Sequence, residues 1–319
     1  MNTLPPLPLV DDAIILDNST IELLKCPRLL ELKWLRARVP VADKAGANFG
    51  STIHRGLEVR YHKAGTGRVD FSARIDIYQA MSEWQQEHPQ PEGDFRDFEH
   101  SVKIMNAYLE QYPTESFKIL NNNEGKPIIE NSFLLPFGAD IHGHPLYYSG
   151  KIDLGIQDQN GLWSFDHKTA FQFGAGFDQQ MNMDGGQRGY CWALGQVMAT
   201  KPQGYIIDAI RVRRPTKKKG QAEEYGGASC IDATDFSRKP VWVTQDDLDE
   251  WREDVITLVT NIFDYHAKGY FPRHRWNCVN KYGACEMFEV CSCPRSQRDS
   301  ILASGMFEDN TWTPLKKAQ

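Results

Sequence analysis

Two acidic residues and a lysine stand close together in the segment 150–169 of the chain. Asp153 lies in one run of alternating apolar residues, and Asp166 and Lys168 lie in the next. Carboxylates are hard oxygen ligands for Mg²⁺ or Mn²⁺, and a bound divalent ion polarises phosphate oxygens and lowers the pKa of water. A lysine beside them can orient that water or neutralise charge that develops on phosphorus. The residue types therefore favour metal-assisted hydrolysis.

The two runs are separated by Asn160-Gly161, a strong short-range signal for a β-hairpin. A two-residue loop of Asn160 and Gly161 would put Asp153 opposite Lys168, whereas a four-residue loop over 158–161 would put it opposite Asp166. Both registers have the same parity, so the three charged side chains share one face in either case. The other face carries four apolar residues, namely Ile152, Leu154, Trp163 and Phe165. An Asp-x-Lys triplet alone is typical of a surface ion pair, but this apolar face predicts a core hairpin whose charged row lines a cleft.

The surrounding elements can be predicted from periodicity and from start and stop signals. Ser19-Thr-Ile-Glu22 has the form of a capping box, and Pro27 is placed to begin the next short helix. Helices are predicted over 46–63, 71–87, 95–112, 177–199 and 245–268, and strands over 127–135, 146–157, 162–168 and 203–213. We therefore predict an α/β (α+β) fold, with a central mixed sheet flanked by helices. The predicted divisions are a helical N-terminal part over 1–115, a core over 116–215, a mobile loop over 216–240 and a C-terminal helix and tail over 241–319.

Several short motifs, in order along the chain, resemble the RecB-like branch of the PD-(D/E)XK nucleases. Gly150, Asp153, Asp166, Lys168 and Thr169 match its "GxxD…DxKT" signature. Its "QxxYxxAL" helix is matched by Gln187, Tyr190, Ala193 and Leu194, and its upstream "GxxxH" is matched by Gly50 and His54. Ile152 stands where the family name has proline. The resemblance implies a restriction-endonuclease-like core, a metal held by His54, Asp153 and Asp166, and Lys168 as the catalytic lysine. It also implies that Glu130 assists the metal and that Gln187 and Tyr190 position Lys168 or the strand being cut.

Cysteine placement points to a second metal group. Four of the seven cysteines fall within residues 278–293, and thiolates at such spacings suit either Zn²⁺ or a 4Fe–4S cluster. Relatives with a cluster use one cysteine of an N-terminal "CPR" turn, here Cys26-Pro27-Arg28, and three near the C-terminus. The resemblance thus favours a cluster held by Cys26, Cys278, Cys285 and Cys291, with Cys293 as the alternative fourth ligand and structural Zn²⁺ as the alternative metal. Cys191 and Cys230 are interpreted as unrelated thiols.

Charge and hydropathy limit the partners. The net charge of −6 disfavours a surface that binds nucleic acid everywhere, but two stretches are locally basic, over residues 25–38 and 211–219. The second stretch consists of Arg211, Arg213, Arg214, Lys217, Lys218 and Lys219, and it is predicted to contact DNA phosphates without reading sequence. We see neither an export signal nor an apolar run long enough for a membrane span, which favours a cytoplasmic protein of a bacterium or of a phage-infected cell.

The function expected from the resemblance is Mg²⁺- or Mn²⁺-dependent hydrolysis of DNA. Relatives commonly degrade single strands from an end, so an exonuclease in recombination, repair, phage DNA metabolism or CRISPR adaptation is favoured, with a helicase or recombination protein as a potential partner. The principal alternative is an inactive nuclease-fold scaffold that binds DNA, and the intact Asp153, Asp166 and Lys168 argue against it. A restriction-type endonuclease and a zinc-stapled interaction protein are further alternatives.

Overall fold

The computed structural model describes residues 4–41, 44–214, 231–280 and 283–311. The chain divides into two compact units, each made of separate segments. Unit 1 comprises residues 1–42, 132–151 and 246–319, and unit 2 comprises residues 43–131 and 152–245.

Unit 2 is built on a mixed sheet. Its strands are β3 (Lys118–Ile119), the later part of β5 (His144–Asp158), β6 (Gly161–Ala170), β7 (Gly204–Arg211) and β8 (Phe236–Trp242). β5 pairs with β6 in the antiparallel sense, β6 with β7 in the parallel sense, and β7 with β8 in the antiparallel sense. A parallel pair needs a crossover, and helices α6 (Ala175–Asn182) and α7 (Gly185–Met198) supply it between β6 and β7.

Helices cover both faces of this sheet. α3 (Ala45–Ala64), α4 (Phe71–Glu87) and α5 (Phe98–Gln111) form the main core of unit 2, in which Phe49, Ile53 and Met105 pack with Leu154 and Phe165 of the sheet. On the other face, the Tyr205 hydroxyl donates to the Met181 carbonyl of α6, and Gly155 approaches Leu194 of α7. The predicted class, a mixed sheet flanked by helices, is confirmed.

The hairpin register is the second of the two predicted alternatives. Leu154 pairs with Phe165 and Asp158 with Gly161, so Asp153 is opposite Asp166 when the register is continued by one residue. The loop itself consists of Gln159 and Asn160, because Asp158 and Gly161 still pair within the four-residue span of that alternative, and the alternative loop of Asn160 and Gly161 does not form. Asp158 explains the shift, because its carboxylate accepts hydrogen bonds from the Asn160 and Gly161 amides and the Trp163 indole.

Unit 1 contains the remaining elements. They are β1 (Ile14–Leu16), α1 (Asn18–Leu23), α2 (Pro27–Leu30), a π-helix (Glu31–Leu35), β2 (Arg38–Pro40), most of β4 (Ile129–Ile141), the early part of β5, α8 (Gln245–Ala267), β9 (Val279–Asn280), β10 (Gly283–Ala284), α9 (Phe288–Ser292), α10 (Arg298–Leu302) and β11 (Phe307–Asp309). β1 is parallel to β5, and β4 also pairs with β5, which completes the predicted meander β4–β5–β6. None of the described helices is both long and apolar enough to span a membrane.

Three local predictions were wrong. Helix α1 is capped by Asp17, whose carboxylate accepts from the Thr20 amide, rather than by Ser19. The single helix predicted over 177–199 is two helices, because Asp184 caps the second one through the Gln187 amide. Strand β8 begins inside the segment predicted as a loop, where Pro240 argues against a central strand. Proline is tolerated there because β8 lies at the end of the strand order.

Candidate active site

Close packing of α3 on β6 brings His54 to the charged row of the hairpin. A Cβ atom added to Gly50 would lie 3.0 Å from Thr169 Oγ1, so a larger residue at position 50 would push the helix and strand apart. His54 follows Gly50 by four residues and therefore lies on the same face of the helix. This contact gives a physical reason for glycine and threonine in the two sequence motifs.

His54 meets two carboxylates from different strands. Its Nδ1 atom lies 3.4 Å from Asp153 Oδ2 and 3.6 Å from Glu130 Oε1. One potential ligand atom from each of the three residues lies within 4.8 Å of the other two. The predicted metal ligands are His54, Asp153 and Asp166, whereas the three residues that the structure brings together are His54, Glu130 and Asp153. Sequence reasoning had given Glu130 only an assisting role.

The backbone at Glu130 is unusual for a residue with a side chain. Its φ angle is +45°, in the left-handed region that non-glycine residues seldom occupy. Such conformations cost on the order of 1–3 kcal/mol and are concentrated at functional sites. The strained residue is the one whose carboxylate reaches His54.

The ladder between β5 and β6 opens at the site. Main-chain pairing ends at Leu154 and Phe165, and beyond this point the His167 amide donates to Asp153 Oδ2 at 2.9 Å. Lys168 Nζ lies 2.8 Å from Asp166 Oδ2. The Lys168 side chain is 38% exposed and that of Asp166 is 4% exposed, so the ammonium can reach solvent while its partner carboxylate is buried. The opened ladder therefore leaves the Lys168 ammonium within reach of solvent, beside the mostly buried carboxylates of Asp153 and Asp166.

The electrostatics of this cluster fit a divalent cation. Three carboxylates (Glu130, Asp153 and Asp166) face one lysine ammonium, so a neutral His54 leaves a surplus of two negative charges. Burial alone would lower the pKa of His54, but Asp153 and Glu130 outweigh it and raise this pKa to about 9. Burial raises the pKa of Asp153 to about 6; Asp166 and Glu130 add to the shift and His54 opposes it. Carboxylate oxygens and an imidazole nitrogen at these spacings suit Mg²⁺ or Mn²⁺.

Binding of a cation should therefore be strongly pH-dependent. A His54 ligand must be neutral, so a metal ion displaces its proton at any pH below about 9. We expect Mn²⁺ affinity to rise about tenfold per pH unit between about pH 6 and pH 9, and more steeply below the Asp153 pKa of about 6. Titration of Mn²⁺ followed by electron paramagnetic resonance would measure this slope. The His54→Ala variant should bind more weakly with a flatter profile, and equal slopes in the two proteins would contradict the role of His54.

A buried polar network that sequence reasoning missed lies beside the charged row. His167 Nδ1 donates to Asp208 Oδ2 at 2.9 Å, and the Tyr108 hydroxyl donates to the same oxygen at 2.5 Å. Arg238 Nε donates to Asp208 Oδ1 at 3.1 Å, and its Nη1 donates to Glu115 Oε2 at 2.5 Å. The network ends on His167, whose amide holds Asp153. The only sequence signal was Asp208, a single aspartate among the apolar residues in the middle of β7.

The two polar residues of the helical motif, Gln187 and Tyr190, lie on α7. Burial alone would lower the pKa of Lys168, but Asp166 and Asp153 outweigh this effect and raise it. Tyr190 lies close enough to Lys168 to add to the increase. Gln187 is buried, and its Oε1 atom has no hydrogen-bond partner within the described ranges. The electrostatic effect places Tyr190 near Lys168, whereas the position of Gln187 relative to Lys168 stays a prediction.

The predicted DNA-binding stretch is only partly described. Arg211 Nε donates to Asp235 Oδ1 at 2.6 Å, and Arg213 pairs with the same buried carboxylate. Arg214 lies with its guanidinium carbon 5.7 Å from the centre of the Phe95 ring. Lys217, Lys218 and Lys219 lie outside the described residues, as does Cys230. Arg211 and Arg213 are therefore not the free cations that the sequence suggested.

The cysteines predicted as cluster ligands lie together in unit 1. Cys26, Cys278, Cys285 and Cys291 all line one pocket, together with Lys25 and Arg273. Burial, reinforced by Cys278, raises the pKa of the Cys291 thiol to about 11. The Cys293 thiol does not line this pocket and instead donates to the Val290 carbonyl at 3.2 Å. Cys191 is a buried thiol of α7 in unit 2, as predicted for a structural cysteine.

Comparisons with known proteins agree with the family suggested by the motifs. A solved structure titled "Crystal structure of SSO0001" aligns with 77% of this chain and 84% of its own, at 12% identity and a TM-score of 0.30. That likeness is too low to support an argument, and a search of curated proteins returned no match. The model of the PD-(D/E)XK nuclease superfamily matches residues 20–292, which include the whole charged row and all proposed metal ligands. The chain belongs to the PD-(D/E)XK nuclease superfamily, whose members are metal-dependent nucleases that act on DNA.

Proposed function

We propose that the protein hydrolyses phosphodiester bonds of DNA at the cluster of His54, Glu130, Asp153, Asp166 and Lys168. The observation that carries the proposal is the group of His54, Glu130 and Asp153, whose ligand atoms lie within 4.8 Å of one another beside a lysine. A divalent cation held by these residues supplies a Lewis acid for the phosphate and a lowered pKa for the attacking water.

Each remaining side chain has a distinct part in this proposal. Asp166 completes the negative surface that faces the cation and fixes the Lys168 ammonium by their ion pair. Lys168 stays protonated because Asp166 and Asp153 raise its pKa, so it acts as a donor that orients water or stabilises negative charge on the phosphate rather than as a base. Tyr190 and Gln187 position Lys168 from α7.

We favour an exonuclease that acts on single-stranded or end-exposed DNA, in the manner of the RecB-like branch. The motifs of α3, of the hairpin and of α7 support this branch, and the phosphate backbone would be contacted by the basic stretch that begins at Arg211. Recombination, repair, phage DNA metabolism and CRISPR adaptation all provide such substrates.

The test is a nuclease assay on 5′- and 3′-end-labelled single and double strands, with Mn²⁺, Mg²⁺ or EDTA, under anaerobic conditions. We expect divalent-ion-dependent release of short products from single strands and from frayed ends. Retention of labelled DNA without any cleavage, under all metal conditions, would support the inactive scaffold instead. Products of one defined length cut at one internal sequence would support a restriction-type endonuclease.

We further propose that Cys26, Cys278, Cys285 and Cys291 hold a 4Fe–4S cluster. The support for one shared metal group is that all four cysteines line the same pocket. Lys25 and Arg273 line it too and would balance the negative charge of thiolate ligands. The choice of iron–sulfur over zinc rests on the resemblance of the cysteine placement to that of the RecB-like branch, since four thiolates suit either group.

Replacement of single cysteines should separate the proposed ligands from the other thiols. Anaerobically purified protein is expected to contain iron and acid-labile sulfide and to absorb visible light. Cys291→Ser should lose both the colour and the iron, because it removes one of the four thiolates. Cys293→Ser is the matched control, two residues away, and should retain both. Loss of iron in Cys293→Ser alone would assign the fourth ligand to Cys293, and zinc in colourless protein would contradict the cluster.

A further inference from the structure

Unit 2 contains a pocket between helix α6 and strands β7 and β8. Its volume is about 320 Å³, and its lining includes Phe177 and Met181 of the helix and Ile207 and Ala209 of β7. The edge strand β8 contributes Ser237 and Lys239. None of these residues belongs to the proposed active site of His54, Glu130, Asp153, Asp166 and Lys168.

Strand register places this pocket directly beside the charged row. Ile207 pairs with Asp166, and Ala209 pairs with Lys168. Paired residues of neighbouring strands project to the same face of a sheet, and the strands are about 4.8 Å apart. The floor of the pocket therefore begins one strand away from Asp166 and Lys168, on the side of the sheet that these two residues occupy.

The walls suit a flat, largely apolar ring with hydrogen-bonding edges. Phe177 provides an aromatic wall, and its ring centroid lies 5.5 Å from that of Phe173, over which the Arg211 guanidinium lies at 5.6 Å. Ile207 and Ala209 provide an apolar floor, and the Ser237 hydroxyl provides a polar group at the edge. The volume is at the lower end of the roughly 300–1,000 Å³ found for small-molecule pockets, which limits the occupant to about one ring system with its sugar.

The acidic residue in the lining of this pocket, Asp178, is paired with a lysine of the same lining. Lys239 Nζ donates to both carboxylate oxygens of Asp178 at 2.6 Å. This pair joins α6 to β8 and neutralises the Asp178 carboxylate. The repulsion between Asp178 and a phosphate chain near the pocket is therefore reduced.

We propose that this pocket receives one unpaired base of the DNA strand, from a nucleotide next to the phosphate bound at Asp166 and Lys168. The proposal rests on the proposed nuclease function and deepens it. A base inside the pocket cannot remain paired in a duplex, and aromatic and apolar walls accept any base because every base has a stacking face. The site would thus select single strands and frayed ends without selecting a sequence.

Abasic substrates test the proposal without any change to the protein. Each substrate is a single strand with one abasic nucleotide, and the abasic position is moved step by step along the series. We expect cleavage at one bond next to the abasic nucleotide to slow by about tenfold, in the range that stacking of one base contributes. Equal cleavage at every position across the series would overturn the proposal.

A filled pocket provides the second arm. Ser237→Phe places an aromatic ring in the pocket, so we expect about tenfold slower cleavage of the intact strand and no further loss on the abasic one. The matched control is Ser72→Phe, the same change at an exposed position of α4, which should behave as the wild type does. An undiminished abasic effect in Ser237→Phe would contradict base insertion.

Binding in EDTA separates the two proposals. Each single strand carries one fluorescent base analogue, and its position is moved along the series. On binding to the wild type or to Ser72→Phe, the emission of the analogue should change at one position. On binding to Ser237→Phe, the emission should not change at that position. If the wild type never cleaves DNA, the nuclease proposal fails, and this emission alone decides whether a base enters the pocket. If the wild type cleaves and no position changes its emission, the nuclease proposal stands and the pocket proposal fails.

Discussion

The Asp166→Ala and Lys168→Ala variants are expected to lose metal-dependent DNA cleavage by about a hundred- to a thousandfold while still binding DNA. Removal of a single group that stabilises charge in the transition state lowers the rate by about 10²–10³. Asp166→Ala removes a carboxylate beside the proposed divalent cation and also the ion-pair partner of Lys168. Lys168→Ala leaves the group of His54, Glu130 and Asp153 unchanged, so its effect isolates the ammonium.

Two measurements distinguish this loss from misfolding. Single-strand affinity in EDTA should stay within a few-fold of the wild type, because neither residue belongs to the basic stretch proposed to contact phosphates. The Mn²⁺ affinity of Lys168→Ala should be retained or increased, since a competing positive charge is removed beside the carboxylates. Lys126→Ala is a suitable control, because it removes an exposed loop lysine whose ammonium pairs with Glu124. Full activity in either active-site variant would refute the assignment.

The charged face of the hairpin was predictable because it depends on parity alone. Any register with an even shift keeps Asp153, Asp166 and Lys168 on one side, so the sequence did not need to decide which loop forms. The exact pairing was not predictable in the same way, since it depends on the hydrogen bonds that Asp158 makes to the loop and to the Trp163 indole.

The role of Glu130 illustrates what a linear pattern cannot give. Its approach to His54 needs a positive φ angle at the start of β4 and the close packing of Gly50 on Thr169, and both are tertiary features. The network around Asp208 is a similar case. It depends on the parallel pairing of His167 with Asp208 and the antiparallel pairing of Asp208 with Arg238, which joins residues far apart in the chain.

The same network leads to the largest expected effect on stability. Arg238 donates to Asp208 and, through two nitrogens, to Glu115 at 2.5 and 3.0 Å. The Asp208 and Glu115 side chains are 0% and 1% exposed, so Arg238→Ala would remove the guanidinium shared by two buried carboxylates. Glu115 would keep its ion pair with Arg60, whereas Asp208 would lose its arginine partner. Breaking a buried ion pair by removal of one partner costs about 3–5 kcal/mol, and we expect a loss of that order in the free energy of unfolding measured with urea.

The neighbouring residue supplies the control for this variant. Lys239 follows Arg238 on the same edge strand, but its ion pair with Asp178 is half-exposed, so Lys239→Ala should change the free energy of unfolding by no more than about 1 kcal/mol.

Acid unfolding is a second readout for the Arg238→Ala variant. Burial would raise the pKa of Asp208, but Arg238, His167 and Tyr108 outweigh it and lower this pKa below its ordinary value. The carboxylate therefore contributes stability above its ordinary pKa and loses it as the pH falls through the lowered one. Without Arg238 the folded-state pKa rises, so acid unfolding should begin at a higher pH than in the wild type or in Lys239→Ala. Equal urea and acid stability in Arg238→Ala and Lys239→Ala would show that the network does not depend on Arg238, and His167 would then have to be held beside Asp153 by the sheet alone.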